Sequence, residues 1–281
     1  MDQNLTIGFI GQGYVGKNYA DVIEERGYDI IRYDDTDKFI QNKDKLKDCD
    51  IVVVAVPTPT TPQGFDSSIV EKVLNLVGKN KIAVVKSTIK LGTTARLNEM
   101  YPDIDIMHSP EFLTAFTAAN DVRTPSRNIL GIEDINNPEL VEKAKTVMKV
   151  FPKAPYELIT QAENAELIKY GGNCWFYFKV VFMNILYDLI EQHEKIDYAT
   201  IREALAKDPR IGYSHLDVLH QGGRGAGGAC FIKDFEAFIE MLKETGLDKQ
   251  RDTCENVRNI NLHYMRSTGK DPDLLKGVYG E

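Results

Sequence analysis

The chain has 281 residues, enough for one large or two modest domains, each with a core of its own. Hydrophobic residues at 43% and charged residues at 27% are ordinary for a globular protein, and a net charge of −8 opposes attraction to phosphate backbones, so no nucleic-acid partner is expected. No apolar stretch approaches the roughly 20 residues a bilayer demands, and the start has no basic region followed by an apolar signal segment; a cytoplasmic protein with no membrane partner is predicted.

From about residue 4 to 155, six β-rich runs alternate with helical stretches: 5–11, 28–34, 50–56, 81–87, 104–109 and 127–132. Several are apolar almost throughout, the pattern of strands buried on both faces of a parallel sheet. Helices are predicted between them at 14–26, 66–78, 93–100 and 137–150. The alternation implies an α/β domain over 1–155, a Rossmann-type doubly wound parallel sheet. After Pro152 and Pro155 the character changes, and 156–281 is predicted to be an all-helical domain. One long central helix is expected at 161–194, with others at 197–206, 232–245 and 250–267 and a glycine-rich interruption at 222–228. Trp175, Phe176, Phe178, Val181, Phe182, Ile185 and Leu186 cover much of the long helix, so it must pack on both sides, and a homodimer through it is expected. The four cysteines are widely spaced and the five histidines scattered, so neither a disulfide framework nor a metal site is inferred.

Gly11-Gln12-Gly13-Tyr14-Val15-Gly16 follows the first run and opens a helix. Gly11 permits a tight turn, Gly13 lets a pyrophosphate approach the backbone, and Gly16 allows close helix–strand packing, while the free helical amides favour the anion. The second run ends in Asp34, 18 residues beyond Gly16, where a carboxylate can accept from ribose hydroxyls. Asp34 would repel a 2′-phosphate, so NAD is expected rather than NADP; Arg32 lies two residues before it and could share its side of the strand. Pro57-Thr58-Pro59 stiffens the loop after the third run, at the edge where ligands bind in this fold.

The segment 225–234, Gly-Ala-Gly-Gly-Ala-Cys-Phe-Ile-Lys-Asp, is the most informative stretch. Glycines let backbone pass close to a ligand with its amides turned inward. Near a helix start, the Cys230 thiolate would be stabilised by the dipole and by Lys233, and Asp234 would lie about one turn on, able to orient or deprotonate water. A free cysteine is usually an inert small hydrophobe, the reading adopted for Cys49, Cys174 and Cys254. Lys169 and Asn173, spaced i,i+4 on an otherwise apolar helix, need partners, and a developing oxyanion is one candidate beside a solvated first turn.

With these motifs stand Val-Pro-Thr-Pro at 56–59, Lys-Ser-Thr with a following Gly-Thr at 86–93, Ser-Pro-Glu-Phe-Leu at 109–113, Asp121 with Pro125 and Arg127, Ala-Glu-x-x-Lys-Tyr-x-x-Asn at 165–173 and Asp-Pro-Arg-Ile-Gly at 208–212. In this order the set resembles the UDP-glucose/GDP-mannose dehydrogenase family, and Pro-Glu-Phe-Leu is most similar to its UDP-glucose branch. The resemblance implies NAD-dependent, four-electron oxidation of the C6 alcohol of a nucleotide sugar. It implies Cys230 as nucleophile, trapping the aldehyde as a thiohemiacetal that is oxidised to a thioester and hydrolysed. Lys169 and Asn173 would hold the oxyanion, Asp234 with Thr88 would position water, and Glu111 would assist hydrolysis. Thr58, Thr88 and Lys233 would line the NAD site beside Gly11, Gly13, Tyr14, Val15, Gly16 and Asp34. Glu111, Phe112, Leu113, Lys169, Asn173, His215, Leu216 and Gly227 would lie along the nucleotide sugar.

The sequence departs from the family pattern in places. The carboxyl-terminal domain that clamps the nucleotide is not included, and the excursion usual after the second strand is missing. Ala115 stands where a second glutamate is usual, Ile232 where a proline is, and His215 where an aromatic residue is common. The interval from Arg210 to Cys230 is longer than usual. Two alternatives stay open: a β-hydroxyacid dehydrogenase, which also carries a Lys-x-x-x-Asn pair but has no use for Cys230, and an NAD-binding protein that no longer turns over a nucleotide sugar.

Overall fold

The computed structural model describes residues 5–36, 38–114 and 116–280; Ala115 lies outside them. The strands are β1 (Thr6–Ile10), β2 (Asp29–Tyr33), β3 (Ile51–Val54), β4 (Thr60–Thr61), β5 (Gly64–Phe65), β6 (Ile82–Val85), β7 (Asp105–His108), β8 (Arg127–Ile132) and β9 (Tyr156–Gln161). The helices are α1 (Tyr14–Glu25), α2 (Ser68–Leu74), α3 (Thr93–Met100), α4 (Ala118–Arg123), α5 (Pro138–Val150), α6 (Ala162–Ile190), α7 (Tyr198–Ala206), α8 (Ala229–Glu244), α9 (Asp248–Thr268) and α10 (Pro272–Tyr279), with a 3-10 helix at Ile40–Asp48.

The chain divides into two compact units, Met1–Pro59 with Asp66–Lys169, and Thr60–Phe65 with Tyr170–Glu281. The first is built on a seven-stranded sheet in the order β2-β1-β3-β6-β7-β8-β9. Period-two alternation sends neighbouring residues of one strand to opposite faces. Phe9, Val53 and Val84 thus join a core with Ile23 of α1 and Val147 of α5, while Ile10, Val52, Val54 and Val85 join another with Leu74 of α2 and Leu97 of α3. Burial on both faces is why β3 reads Ile-Val-Val-Val without a polar residue. The five strands from β2 to β7 pair in parallel. The sheet is not parallel throughout, because β8 meets β7 antiparallel at His108 and Gly131, and β9 then follows β8 in parallel. The strand order reverses at β1, flanked by β2 and β3, and a crevice outside the carboxyl ends of such a pair is where ligands bind in doubly wound sheets.

The second unit is helical apart from the β4–β5 hairpin. In its core Tyr177 stacks on Phe235 (3.8 Å between centroids) and Phe178 meets the same ring edge-on. The hairpin is fastened to α8: the Thr60 hydroxyl donates to the Lys233 carbonyl (3.1 Å) and the Phe65 amide to Glu240 Oε2 (3.1 Å). The long helix, predicted at 161–194, ends at Ile190. α8 begins at Ala229 rather than 232, which brings Cys230 into its first turn. Among the described residues no helix is long and apolar enough to cross a membrane.

Candidate active site

In the first unit the three glycines of 11–16 serve three separate needs. Gly11 has φ +89°, and a Cβ there would stand 2.3 Å from the Ala55 carbonyl oxygen at the end of β3. A Cβ on Gly16 would stand 2.0 Å from the Gly11 carbonyl oxygen, so this glycine lets α1 seat on the turn. A Cβ on Gly13 would meet nothing within 4 Å, so the backbone there is open to an approaching ligand. Gly13 caps α1 without a side-chain bond and no acid stands in its first turn, leaving helical amides and the positive dipole end for an anion. Asp34 is half-buried just past β2; its carboxylate accepts from the Gln12 amide (2.8 Å) and the Thr36 amide (3.2 Å), which fixes it beside the turn. Arg32 is spoken for by Asp21 and Glu24 of α1, both at 2.6 Å, so its charge is neutralised on the helix instead of waiting for a 2′-phosphate. The Tyr14 hydroxyl donates to the Thr114 carbonyl, Val15 packs on the core, Thr58 is buried and Thr88 half-buried after β6. These residues fit a dinucleotide with an unphosphorylated ribose.

Lys169 lies in the same unit, and its ammonium donates to Glu111 twice, to Oε1 at 2.6 Å and to the backbone oxygen at 2.8 Å. The other carboxylate oxygen of Glu111 accepts from the Leu113 amide (2.7 Å), so the Ser109–Leu113 loop folds around this pair. The Phe112 ring lies under the Arg127 guanidinium at 3.9 Å, and Leu113 packs on the core. Lys86, which the sequence reading passed over, is buried beneath, donating to Ser109 Oγ (3.0 Å) with its ammonium over the Tyr19 ring; burial pushes it down to about 7, against the pull of Glu111.

In the second unit Cys230 is exposed. Asp234, one turn along α8, is sealed, and both its oxygens are occupied: Asn173 donates to one and Lys233 to the other, each at 2.5 Å. The ammonium of Lys233 is thus directed at Asp234, not reserved for the sulfur, and Cys230 stands in the first turn of α8, at the positive end of its dipole. The expectation that Lys169 and Asn173 present a shared pair of donors is refined: each is held by its own carboxylate, Glu111 and Asp234.

Two of the glycines before Cys230, Gly225 and Gly227, make their close approach to the protein itself, whereas a Cβ on Gly228 would meet nothing within 4 Å. A Cβ on Gly227 would stand 2.4 Å from Asp271 Oδ2, and one on Gly225 would stand 2.8 Å from Asn261 Oδ1. Asn261 both accepts from the Ala226 amide (2.6 Å) and donates to its carbonyl (2.9 Å), and Asp271 accepts from the Gly228 amide (2.7 Å). The loop amides expected to face a ligand are in these two cases spent on α9 and the start of α10. Asn261 and Asp271 lie 35 and 43 residues beyond their partners, and no local pattern marks them.

His215 adopts φ +63° and stacks on Phe176 (4.3 Å), with Phe231, the neighbour of Cys230, at 5.4 Å. Burial, with Lys179 and His220 nearby, holds its pKa below the usual histidine range, so a neutral ring takes the place of the aromatic residue. Leu216 is sealed in a cluster with Met183 and Ala206, so any contact it makes with a ligand goes through its backbone. One cavity, of about 580 Å³, is lined by other residues. It opens in the first unit near the carboxyl ends of α1 and α5, where Arg26 satisfies the carbonyls of Lys149 and Val150.

Residues 38–151 match the NAD binding domain of the UDP-glucose/GDP-mannose dehydrogenase family, and residues 163–263 match its central domain. The uncharacterized protein MJ1054 of Methanocaldococcus jannaschii is 34% identical over 97% of this chain and 34% of its own length. The putative UDP-glucose 6-dehydrogenase YtcA of Bacillus subtilis is 26% identical over 92% of this chain and 67% of its own. A UDP-glucose dehydrogenase structure from the hyperthermophilic archaeon Pyrobaculum islandicum superposes with a TM-score of 0.79 at 25% identity, covering 92% of this chain and 68% of that one. The chain therefore spans about a third of MJ1054 and about two thirds of the other two.

Proposed function

We propose, from the premise that the chain belongs to the UDP-glucose/GDP-mannose dehydrogenase family and carries its NAD-binding domain, that it oxidises the C6 alcohol of a nucleotide sugar, UDP-glucose foremost, to the uronate. NAD is its cofactor, and when bound it supplies the hydride acceptor for two successive oxidations. The reading rests above all on one observation, an exposed cysteine in the first turn of α8, one turn from a buried Asp234 held by Asn173 and Lys233.

In this reading Gly11, Gly13, Tyr14, Val15, Gly16 and Asp34 hold the pyrophosphate and adenosine ribose, with Thr58, Thr88 and Lys233 completing the cofactor site. The Cys230 sulfur adds to the carbonyl carbon of the aldehyde, whose oxygen takes a proton; after the second oxidation a thioester remains on the sulfur. Water then adds to that carbon, the C–S bond breaks, and the thiolate and a carboxylate are released. Lys169 and Asn173 steady the oxygen as it becomes anionic. Their carboxylate partners hold both side chains oriented beforehand, and Asp234, through the Asn173 and Lys233 side chains it holds, positions the attacking water with Thr88. Glu111, Phe112, Leu113, His215, the Leu216 backbone and Gly227 flank the sugar nucleotide.

The test is the yield of NADH from a panel of UDP- and GDP-sugars, with two NADH expected per sugar oxidised. One NADH per turnover would favour a hydroxyacid dehydrogenase, and NADH binding without turnover a protein that keeps only the cofactor.

We also propose that a second copy covers α6. Trp175, Phe182 and Leu189 recur every seven residues and, with Ile185, are exposed at 62%, 59%, 59% and 43%. A spacing of seven is the seam of paired helices. A dimeric mass at micromolar concentration is expected, with Phe182→Glu shifting it to the monomer; a monomeric wild type would remove the idea.

A further inference from the structure

Glu166 is fully buried on α6, one turn before Lys169, so the two side chains share a face of that helix. Its carboxylate meets three donors of one distant turn: the Gly92 amide at 2.6 Å, the Thr94 amide at 2.8 Å and the Thr94 hydroxyl at 2.6 Å. These are the first groups of α3, a helix with no side-chain cap of its own, whose N-cap Gly92 sits at φ +81°. Glu166 is therefore a cap supplied from 72 residues away in sequence, with the negative charge that a helix amino end favours. The segment it secures, residues 86–94, leaves the carboxyl end of β6 and carries Thr88. The next loop round, after β7, is secured from the same helical face by Lys169 through Glu111.

We infer that Glu166 is a positioning residue of the cofactor site, fixing the turn after β6 against the first turns of α6 as Lys169 fixes the turn after β7. The inference rests on the proposed place of Thr88 beside NAD. A carboxylate suits the task and an amide does not, because both Glu166 oxygens accept. Glutamine keeps the shape but turns an NH₂ group toward one of the backbone amides, leaving donor against donor.

The experiment is a fluorescence titration of the full chain with NADH, together with a thermal melt, for wild type, Glu166→Gln and Thr94→Val. At a temperature where all three are folded, Glu166→Gln should weaken NADH binding by about tenfold, equivalent to about 1.4 kcal/mol. Thr94→Val, which removes only the hydroxyl bond, should weaken it by a smaller factor. If Glu166→Gln lowers the melting temperature but leaves the NADH dissociation constant within twofold, the residue serves the fold alone and the inference is overturned. Should Glu166→Gln not fold, Thr94→Val decides by the same measure, unchanged affinity again overturning it. Because binding needs no turnover, weakened NADH binding in a chain that oxidises no nucleotide sugar would uphold this inference while removing the catalytic reading.

Discussion

Cys230→Ala is expected to lose steady-state turnover by at least about a thousandfold while keeping its affinity for NADH. The sulfur alone can form the covalent bond that converts a freely diffusing aldehyde into a held intermediate. Neighbouring groups cannot substitute, since Asp234 is sealed with both oxygens occupied. A chemical readout accompanies the kinetic one. Cys49, Cys174 and Cys254 are buried, and burial raises each thiol above its usual range, that of Cys49 to about 11. A thiol reagent at neutral pH should therefore consume one sulfur quickly in the wild type and none in Cys230→Ala. Full activity in the variant would leave the covalent mechanism without support.

Lys169→Met should destabilise the protein by about 3–5 kcal/mol, the cost of leaving one member of a buried ion pair alone. The side chains of Lys169 and Glu111 are only 6% and 11% exposed, so water cannot replace the lost ammonium. The damage should extend to function, because Glu111 also accepts from the Leu113 amide and the Ser109–Leu113 loop would lose its anchor. Adding Glu111→Gln to Lys169→Met should recover part of the stability, since the uncompensated charge disappears. Urea unfolding of the wild type, the two single variants and the double variant measures this directly. A loss below about 1 kcal/mol in Lys169→Met would mean the pair is solvated.

What could be read in the sequence was whatever announces itself within a few residues. The β-branched runs became β1, β3, β6, β7 and β8, and α3 lies at Thr93–Met100, the range its pattern predicts. The β9 run, Tyr-Glu-Leu-Ile-Thr-Gln, was not recognised because it ends the sheet and two of its first residues face solvent, so no apolar stretch marks it. The β4–β5 hairpin has only two residues per strand, and its prolines resemble simple loop punctuation. At the candidate site, the i,i+4 spacing of Lys169 and Asn173 was visible, but their partners lie 58 and 61 residues away. A local pattern shows that a polar group on an apolar helix needs a partner, and only the fold says which. Gly225 and Gly227 are ambiguous in sequence for the same reason: closeness to a ligand and closeness to Asn261 or Asp271 demand the same missing Cβ.

The path of the chain between its two units has a bearing on recombination. It passes from one to the other after Pro59, after Phe65 and after Lys169, so no single cut in the sequence separates them. A piece ending at Lys169 would take the hairpin with it, stripped of α8, while a piece starting at Tyr170 would lack the strands that bond to Lys233 and Glu240. Chimeras that graft a foreign cofactor module onto these helices must therefore import or rebuild Thr60–Phe65 as well. Linear domain shuffling, which serves many dinucleotide enzymes well, would here produce halves that each carry an orphaned surface.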